Sequence, residues 1–206
     1  MPTSSADQRD RDVVVVPASD APWEDLQAVF GERGQARDCQ CQWFKLGGRE
    51  WDASTQGERA ARLRKQANCG TPGAPTSGLL AYLDGEPAGW CAVEPRTAYP
   101  RMKGMRIPWK GRDEDKEDDG VWTVSCFATR AGYRRRGVSR ALARAAVGFA
   151  REGGARAVEG YALEIAPGKE AVWGELYVGG RGVFEAAGMR EVGRPSPRRV
   201  VMRIDF

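Results

Sequence analysis

The most restrictive feature of this sequence is a junction between an apolar strand and a helix, with an arginine-rich turn between them. The segment "VWTVSCFA", residues 121–128, is apolar nearly throughout, which is typical of a strand buried on both faces. The segment "GYRRRGVSRALARAAVGFA", residues 132–150, follows it, with apolar side chains at helical spacing, such as Val138, Leu142 and Phe149. The chain therefore predicts a central strand that turns directly into a helix.

The turn itself predicts an anion-binding site. A helix N-terminus presents unpaired backbone N–H groups and a partial positive charge, and a glycine there lets a phosphate approach the backbone closely. Gly137 has this position, and charged, forked donors surround it at Arg134, Arg135, Arg136 and Arg140. The turn matches neither GxxxxGK[ST] nor GxGxxG, so it predicts a phosphate or pyrophosphate site of another kind. The alternative is an ordinary strand–helix turn with solvated arginines.

The rest of the chain predicts one mixed α/β domain. "VVVVP" is typical of a strand, and "SDAPWEDLQAVFG" and "STQGERAARLRKQANCG" carry the capping residues of two helices, the second capped near Ser54. Two apolar runs around Asp84-Gly85 predict a hairpin. With "ARAVEGYAL" and two strands after a helix end at Gly188, the order is β, α, α, hairpin, β, α, β, α, β, β. This domain spans residues 13–206, and the polar residues 1–12 predict a disordered tail.

One long polar stretch interrupts this pattern, from about Arg96 to Gly120. It is too rich in charge to be predicted as core, so we expect a mobile loop that borders the active site. Its acidic run "DEDKEDD", residues 113–119, would attract a cationic acceptor if it lies at the mouth of a cleft. The alternative is a solubilising loop far from the cleft.

Composition excludes several classes of chemistry. The chain has no histidine, which removes histidine bases, serine–histidine and cysteine–histidine nucleophiles and histidine metal ligands. Five cysteines without a signal peptide or a long apolar run predict a cytoplasmic protein with free thiols and no membrane association. The "CQC" segment, residues 39–41, has no accompanying CxxC pair, so we predict no metal site. A net charge of +4 from 32 basic and 28 acidic residues does not favour a nucleic-acid partner.

The central junction resembles the acetyl-CoA-binding motif of the GNAT superfamily of N-acetyltransferases. "VWTVSCFAT" followed by "GYRRRGVSRAL" is similar to that family's strand and its Q/R-x-x-G-x-G/A signature, with Arg134, Gly137 and Ser139 in the three places. The order of elements and "FEAAGM", which is similar to the family's Y-x-x-x-G-F, extend the resemblance over residues 13–206. The resemblance implies a mixed, mostly antiparallel central sheet flanked by helices, with acetyl-CoA as the cosubstrate.

The resemblance also implies how the cosubstrate is held. The backbone of the central strand would bond the pantetheine arm as one strand pairs with another, and the turn amides would cradle the pyrophosphate. A backbone N–H near Phe127 would stabilise the thioester oxygen as an amine attacks it. The implied cofactor-binding residues are Phe127, Ala128, Thr129, Arg134, Arg135, Arg136, Gly137, Val138, Ser139 and Arg140.

The residues for acid and base catalysis depart from the family pattern. The tyrosine that often protonates the leaving thiolate is Phe184 here, which we expect against the thioester end of the cofactor. Tyr177 is the alternative acid, unless it is only a packing residue. Glu159 and Glu164, on or just after the strand that lines the cleft by resemblance, are candidate bases, or else carboxylates that are solvated or in salt bridges.

The acceptor side is predicted from the early helices and the hairpin. Trp43 and Phe44 would shape an apolar acceptor pocket, and Glu94, at the end of the hairpin, is a third candidate carboxylate beside the acceptor. We expect an N-acetyltransferase in which a small primary amine attacks acetyl-CoA directly in a ternary complex. The alternatives are an acyl-CoA-binding or regulatory module with little catalysis, and acyl transfer to a hydroxyl. A homodimer is left open.

Overall fold

The computed structural model describes residues 13–165 and 173–206, so the predicted tail at residues 1–12 lies outside the described residues. Within the described residues, seven strands form one sheet in the order β1-β2-β3-β4-β5-β7-β6. Each neighbouring pair is antiparallel except β4 and β5, which confirms the predicted mixed, mostly antiparallel sheet. The strands are β1 Val13–Pro17, β2 Gly78–Leu83, β3 Glu86–Pro95, β4 Val121–Thr129, β5 Ala157–Leu163, β6 Arg190–Ser196 and β7 Arg199–Asp205.

Short helices precede the hairpin. The sequence predicted two helices there, and the structure has four: α1 Trp23–Phe30, α2 Gln35–Cys39, α3 Gly48–Ala53 and α4 Gln56–Ala67. α2 and α3 have five and six residues, too few for a helical period to be visible. The cap predicted near Ser54 is the adjacent residue, Thr55, which forms the capping box with Glu58. Two helices follow β4 and β5: α5 Val138–Glu152 and α6 Arg181–Glu185.

The predicted hairpin and the packing of α5 against the sheet determine where the N-terminus of α5 lies relative to the central strand, β4. Asp84 and Gly85 both have positive φ, 56° and 80°, as a two-residue hairpin turn requires. The apolar stripe of α5 packs on one face of the sheet, and α1 and α4 pack on the other. A Cβ on Gly89 would lie 2.4 Å from the Val138 side chain, so this glycine lets the start of α5 approach β3. The N-terminus of α5 is thereby held beside the end of β4.

The two parallel strands at the centre of the sheet separate along their length. β4 pairs with β5 only from Val121 to Val124, although β5 continues beside β7 as far as Leu163. The pairing of β4 with β3 also skips Ser125, which lies in a β-bulge where the register shifts. From that point to Thr129, the β5 side of β4 is open, and this opening forms the base of a cleft.

The stretch from Arg96 to Gly120 is packed onto the sheet, so the expectation that it is too polar for the core was wrong. Tyr99 and Met102 are 0% and 1% exposed and belong to one apolar cluster with Tyr161. Arg96 itself is 1% exposed. Charge is compatible with burial here because it is paired.

A buried ion cluster attaches this stretch to the sheet. Glu159 of β5 is 0% exposed, and its carboxylate contacts Arg112, accepts a hydrogen bond from Arg203 Nη1 at 2.8 Å, and lies 3.6 Å from Arg96 Nη1. Glu114, from the acidic run, pairs with the same three arginines at 2.7 to 3.1 Å. A buried charge is tolerated only with such partners, so Glu159 neutralises a cluster that would otherwise be strongly repulsive.

This cluster predicts a large loss of stability on removing one charge. Glu159→Gln leaves three arginines around a neutral amide, and we expect the free energy of unfolding to fall by about 3 kcal/mol. The control is Glu117→Gln, which removes a carboxylate that is 66% exposed and paired with Lys103, where we expect a change below about 1 kcal/mol. Urea unfolding followed by circular dichroism measures both, and equal losses would show that the cluster does not stabilise the fold.

Candidate active site

A cleft of about 2330 Å³ opens where β4 separates from β5. Its walls come from α1 and α2, the second half of β4, the turn before α5 and the segment around residues 174–183. Among the described residues, its lining includes none from 96–120, so the acidic run does not border it as predicted. Two of the acidic side chains in that run are paired elsewhere, Glu117 with Lys103 and Asp118 with Arg156.

At one end of the cleft lies the N-terminus of α5. Gly137 is its N-cap, with φ at 85°, and no described side chain caps the helix. Arg135 also has positive φ, 62°, and such turns direct successive N–H groups into one concavity. Thr129 Oγ1 and Ser139 Oγ lie 3.3 Å apart and join the end of β4 to the first turn. Backbone donors and a helix dipole in this arrangement favour an anion at this end.

The structure brings nine of the ten predicted cofactor-binding residues to this cleft. The exception is Arg136, whose guanidinium donates to Asp84 Oδ2 at 2.7 Å in the hairpin turn and so braces the loop from outside. Arg130, which the sequence analysis did not select, also lines the cleft. The nine are Phe127, Ala128, Thr129, Arg134, Arg135, Gly137, Val138, Ser139 and Arg140.

Tyr177 lies in the opposite wall. It is half-buried in a short 3-10 helix, Trp173–Val178, with its ring centroid 6.2 Å from that of Phe44. Burial raises the pKa of Tyr177 above its ordinary value of 10, and the nearby Arg199 opposes this. The phenol is therefore neutral at physiological pH and can donate a proton.

Phe184 does not line the cleft, so the expectation that it meets the thioester was wrong. It is 0% exposed and makes an edge contact with Phe127, with ring centroids 5.8 Å apart. A Cβ on Gly160 would lie 2.3 Å from its ring, and one on Gly179 would lie 2.8 Å from it. The two glycines leave the space that the ring occupies, which is behind Phe127 and away from the open side.

The three carboxylates selected from sequence lie in ion pairs outside the cleft lining. Glu159 is in the buried cluster, and Glu164 pairs with Arg181 and Arg194 at 2.9 and 3.0 Å. Hydrogen bonds from those two arginines lower the pKa of Glu164, which weakens it as a base. Glu94 pairs with Lys45 at 2.5 Å, although burial raises its pKa. Their roles stay predictions, and this geometry does not favour them.

The predicted apolar acceptor wall does line the cleft. Phe44 is 5% exposed, and Trp43 is 37% exposed with the Arg101 guanidinium 3.8 Å from its ring centroid. Trp51, which sequence reasoning missed, packs edge-on against Trp43 at 5.0 Å and extends the wall. It lies in the short helix α3, whose amphipathic pattern is too brief to select one face.

Sequence reasoning also missed that three cysteines line the cleft: Cys39, Cys41 and Cys126. Trp90 Nε1 lies 3.1 Å from Cys41 Sγ and donates to it. Burial raises the pKa of Cys39 to about 11, and a hydrogen bond with Cys41 together with burial raises the pKa of Cys126 well above its ordinary value. The thiols of Cys39 and Cys126 are thus protonated at physiological pH. Among the described residues, no group of three histidine, cysteine or acidic side chains is placed to hold a metal ion.

Comparison with protein families matches residues 39–166 to the Acetyltransferase (GNAT) family. The chain therefore belongs to this family, and it is an acyltransferase that uses acetyl-CoA as its cosubstrate. No curated protein matches the sequence significantly. Within residues 13–165 and 173–206, no helix is long and apolar enough to cross a membrane.

Solved structures share the fold at low sequence identity. A phosphinothricin acetyltransferase from Sinorhizobium meliloti in complex with AcCoA is 16% identical, with a TM-score of 0.51 over 95% of this chain and 89% of that one. A ribosomal-protein-alanine N-acetyltransferase from Brucella melitensis is 15% identical, with a TM-score of 0.50 over 94% and 99%. An N-acetyltransferase from Staphylococcus aureus Mu50 is 12% identical, with a TM-score of 0.50 over 94% and 98%. These likenesses confirm the predicted fold.

The state of the cleft thiols is testable. Because the pKa of Cys39 is about 11 against an ordinary 9.0, its thiolate at pH 8 is about a hundredfold scarcer than that of a free thiol. We expect iodoacetamide labelling of Cys39, measured by peptide mass spectrometry, to be slow and to rise about tenfold per pH unit through pH 10. In the urea-unfolded control the rise should level off near pH 9. A native profile that levels off there too would contradict the raised pKa.

Proposed function

We propose that this protein is an N-acetyltransferase in which a primary amine attacks acetyl-CoA directly in a ternary complex. The observation that carries the proposal is the cleft itself, with an uncapped helix N-terminus at one end and a neutral tyrosine in the opposite wall. The strands from Val13 to Asp205 belong to one sheet, which supports a single acetyltransferase domain over residues 13–206.

The cosubstrate would lie along β4 and the turn that follows it. The pyrophosphate is assigned to the backbone amides from Arg135 to Arg140, with Arg134 and Arg140 adding charge. The pantetheine arm is assigned to the open backbone edge of β4 at Phe127 and Thr129, where an extended chain can pair as a strand would. Arg136 is a positioning residue in this scheme, because it ties the loop to Asp84.

The chemistry needs no covalent intermediate on the protein. The amine nitrogen attacks the thioester carbonyl carbon, and the charge on the oxygen is stabilised by a backbone N–H of β4 near Phe127. The C–S bond then breaks, the CoA sulfur takes a proton from the Tyr177 phenol, and the attacking nitrogen gives up its extra proton, through solvent, to the tyrosinate, so that a neutral amide and CoA thiol leave and the phenol is restored. An alkylamine with a pKa near ~10.4 must first lose its ammonium proton. We assign that loss to solvent, since the three candidate carboxylates lie in ion pairs.

The choice of an amine as acceptor is supported by structural neighbours that carry the names of N-acetyltransferases. The Brucella and Sinorhizobium proteins carry the names of enzymes for different acceptors, ribosomal-protein alanine and phosphinothricin. The shared fold therefore does not select the acceptor, which must be inferred from side chains of this chain.

The first prediction from this assignment concerns Gly137. Gly137→Glu adds a side chain at positive φ and a negative charge beside the assigned pyrophosphate, so we expect loss of CoA binding by calorimetry, at least about a hundredfold in Kd. Gly132→Glu is the matched control, because Gly132 also has positive φ, 90°, has open space beside it, and does not line the cleft. Equal CoA affinities in the two variants would remove the loop from the site.

A second prediction concerns the proton donor. Tyr177→Phe should lower kcat about 10- to 100-fold while leaving CoA affinity unchanged, because it removes the phenolic proton and little of the ring. Since burial raises the pKa of Tyr177 from its ordinary value of 10, its ionisation should cause no fall in kcat below about pH 9. Tyr82→Phe is the control, since Tyr82 donates to Asp25 and lies outside the cleft lining. Full turnover by Tyr177→Phe across this range would show that water supplies the proton.

A further inference from the structure

The acceptor side of the cleft contains an arginine that sequence reasoning did not select. Arg199 begins β7, and its side chain shares a face of the sheet with Val201, which packs with Phe44 and Tyr161. Arg199 lines the cleft together with Phe44 and Tyr177. A guanidinium therefore lies in the wall that the acceptor must approach.

Within the part of the chain that the structure describes, no acidic side chain pairs with Arg199. Its Nη1 donates to the carbonyl oxygen of Tyr161 at 3.4 Å, and it forms no salt bridge with any residue in 13–165 or 173–206. By contrast, the next arginine on the same face of β7, Arg203, pairs with Glu159, Glu114 and Asp205. Arg199 is partly exposed, so its remaining N–H donors are open to a ligand.

The nearby acidic groups do not cancel this charge. Two charged residues act on the phenol of Tyr177, namely Arg199 and Glu175. Glu175 is already paired with Arg198. Asp38, on the other wall, is paired with Arg37 at 3.0 Å. The site beside Tyr177 thus carries a net positive charge, which repels a simple ammonium ion and attracts an acid group.

We propose that Arg199 binds a carboxylate on the acceptor, so that the substrate class is a small amine that also carries an acid group, such as an amino acid. This rests on the proposed function. A planar guanidinium matches a carboxylate through two parallel hydrogen bonds. The apolar part of the acceptor lies against Phe44 and Trp43, and the carboxylate on Arg199 orients the amine towards the thioester. Arg199 is thus a specificity-determining residue.

The test compares acceptors that differ only in the acid group. The three pairs of acceptors are phenylalanine and phenethylamine, leucine and isoamylamine, and methionine and 3-(methylthio)propylamine. Each acceptor is incubated with acetyl-CoA and the protein, and the release of CoA thiol is measured. We expect kcat/KM for the carboxylate member of at least one pair to exceed that of its partner about tenfold or more. A preference for the plain amine in all three pairs would overturn the proposal.

Variants then locate the preference at Arg199. Arg199→Gln should lower the ratio of kcat/KM between carboxylate and plain amine about 10- to 100-fold, mainly through KM for the carboxylate member, and Arg199→Lys should restore part of it. Arg190→Gln is the matched control, because this β6 arginine is 74% exposed and lies outside the cleft lining. An unchanged ratio in Arg199→Gln would overturn the proposal.

Failure of this inference is distinguishable from failure of the proposed function. Calorimetry of CoA binding is run on the parent and on Arg199→Gln. Weaker CoA binding in Arg199→Gln would reassign the arginine to the cosubstrate and overturn the acceptor role. CoA binding without turnover of any of the six amines would overturn the substrate class alone. Neither CoA binding nor turnover would overturn the proposed function as well.

Discussion

The separation of β4 from β5 is the constraint on which the rest of the structure depends. Parallel strands normally stay hydrogen-bonded, yet here pairing ends at Val124, one residue before the bulge at Ser125. The Phe184 ring fills the space beyond, against Phe127, where Gly160 has no side chain to obstruct it. An apolar wedge and a bulge thus keep open a backbone edge that would otherwise be used within the sheet, and the cleft lies along that edge.

On the face of the sheet opposite Phe184, ion pairs and burial hold the polar stretch against β5. The polar stretch before β4 is held by Glu159 and Glu114 through shared arginines, and by burial of Tyr99 and Met102. Such a network is costly to desolvate and stable only when complete, so it fixes one position of the stretch relative to β5. The arginines of this network are paired with carboxylates inside the fold, so their charge is not available to a ligand. That leaves Arg199 as an arginine beside Tyr177 with a charge available to a ligand.

The site is consistent with catalysis by a chain that has no histidine. Burial keeps the thiol of Cys39 protonated, the candidate carboxylates are in ion pairs, and burial raises the pKa of the Tyr177 phenol, which is therefore neutral. Among the described residues, the groups that the proposed mechanism uses are backbone N–H groups, a helix dipole and the Tyr177 phenol. Transfer of an acetyl group from a thioester to an amine requires little more, because the acyl donor arrives activated and the amine is itself the nucleophile.

The sequence by itself determined the local parts of this protein: the hairpin at Asp84-Gly85, the buried strand before Gly137, the helix after it and the anion-binding turn between them. Each of these parts depends on residues that are close together in the chain, so capping residues, the spacing of apolar residues and turn residues are enough to predict it. Tertiary structure decided what depends on packing between distant segments. Phe184 enters the core because Gly160 and Gly179 leave room, Glu159 is removed from the cleft by three arginines, and Arg199 reaches it from the last strand. Burial and ion pairing between distant segments decided whether each of these side chains lies in the core, in an ion cluster or in the cleft, and no local sequence pattern shows this.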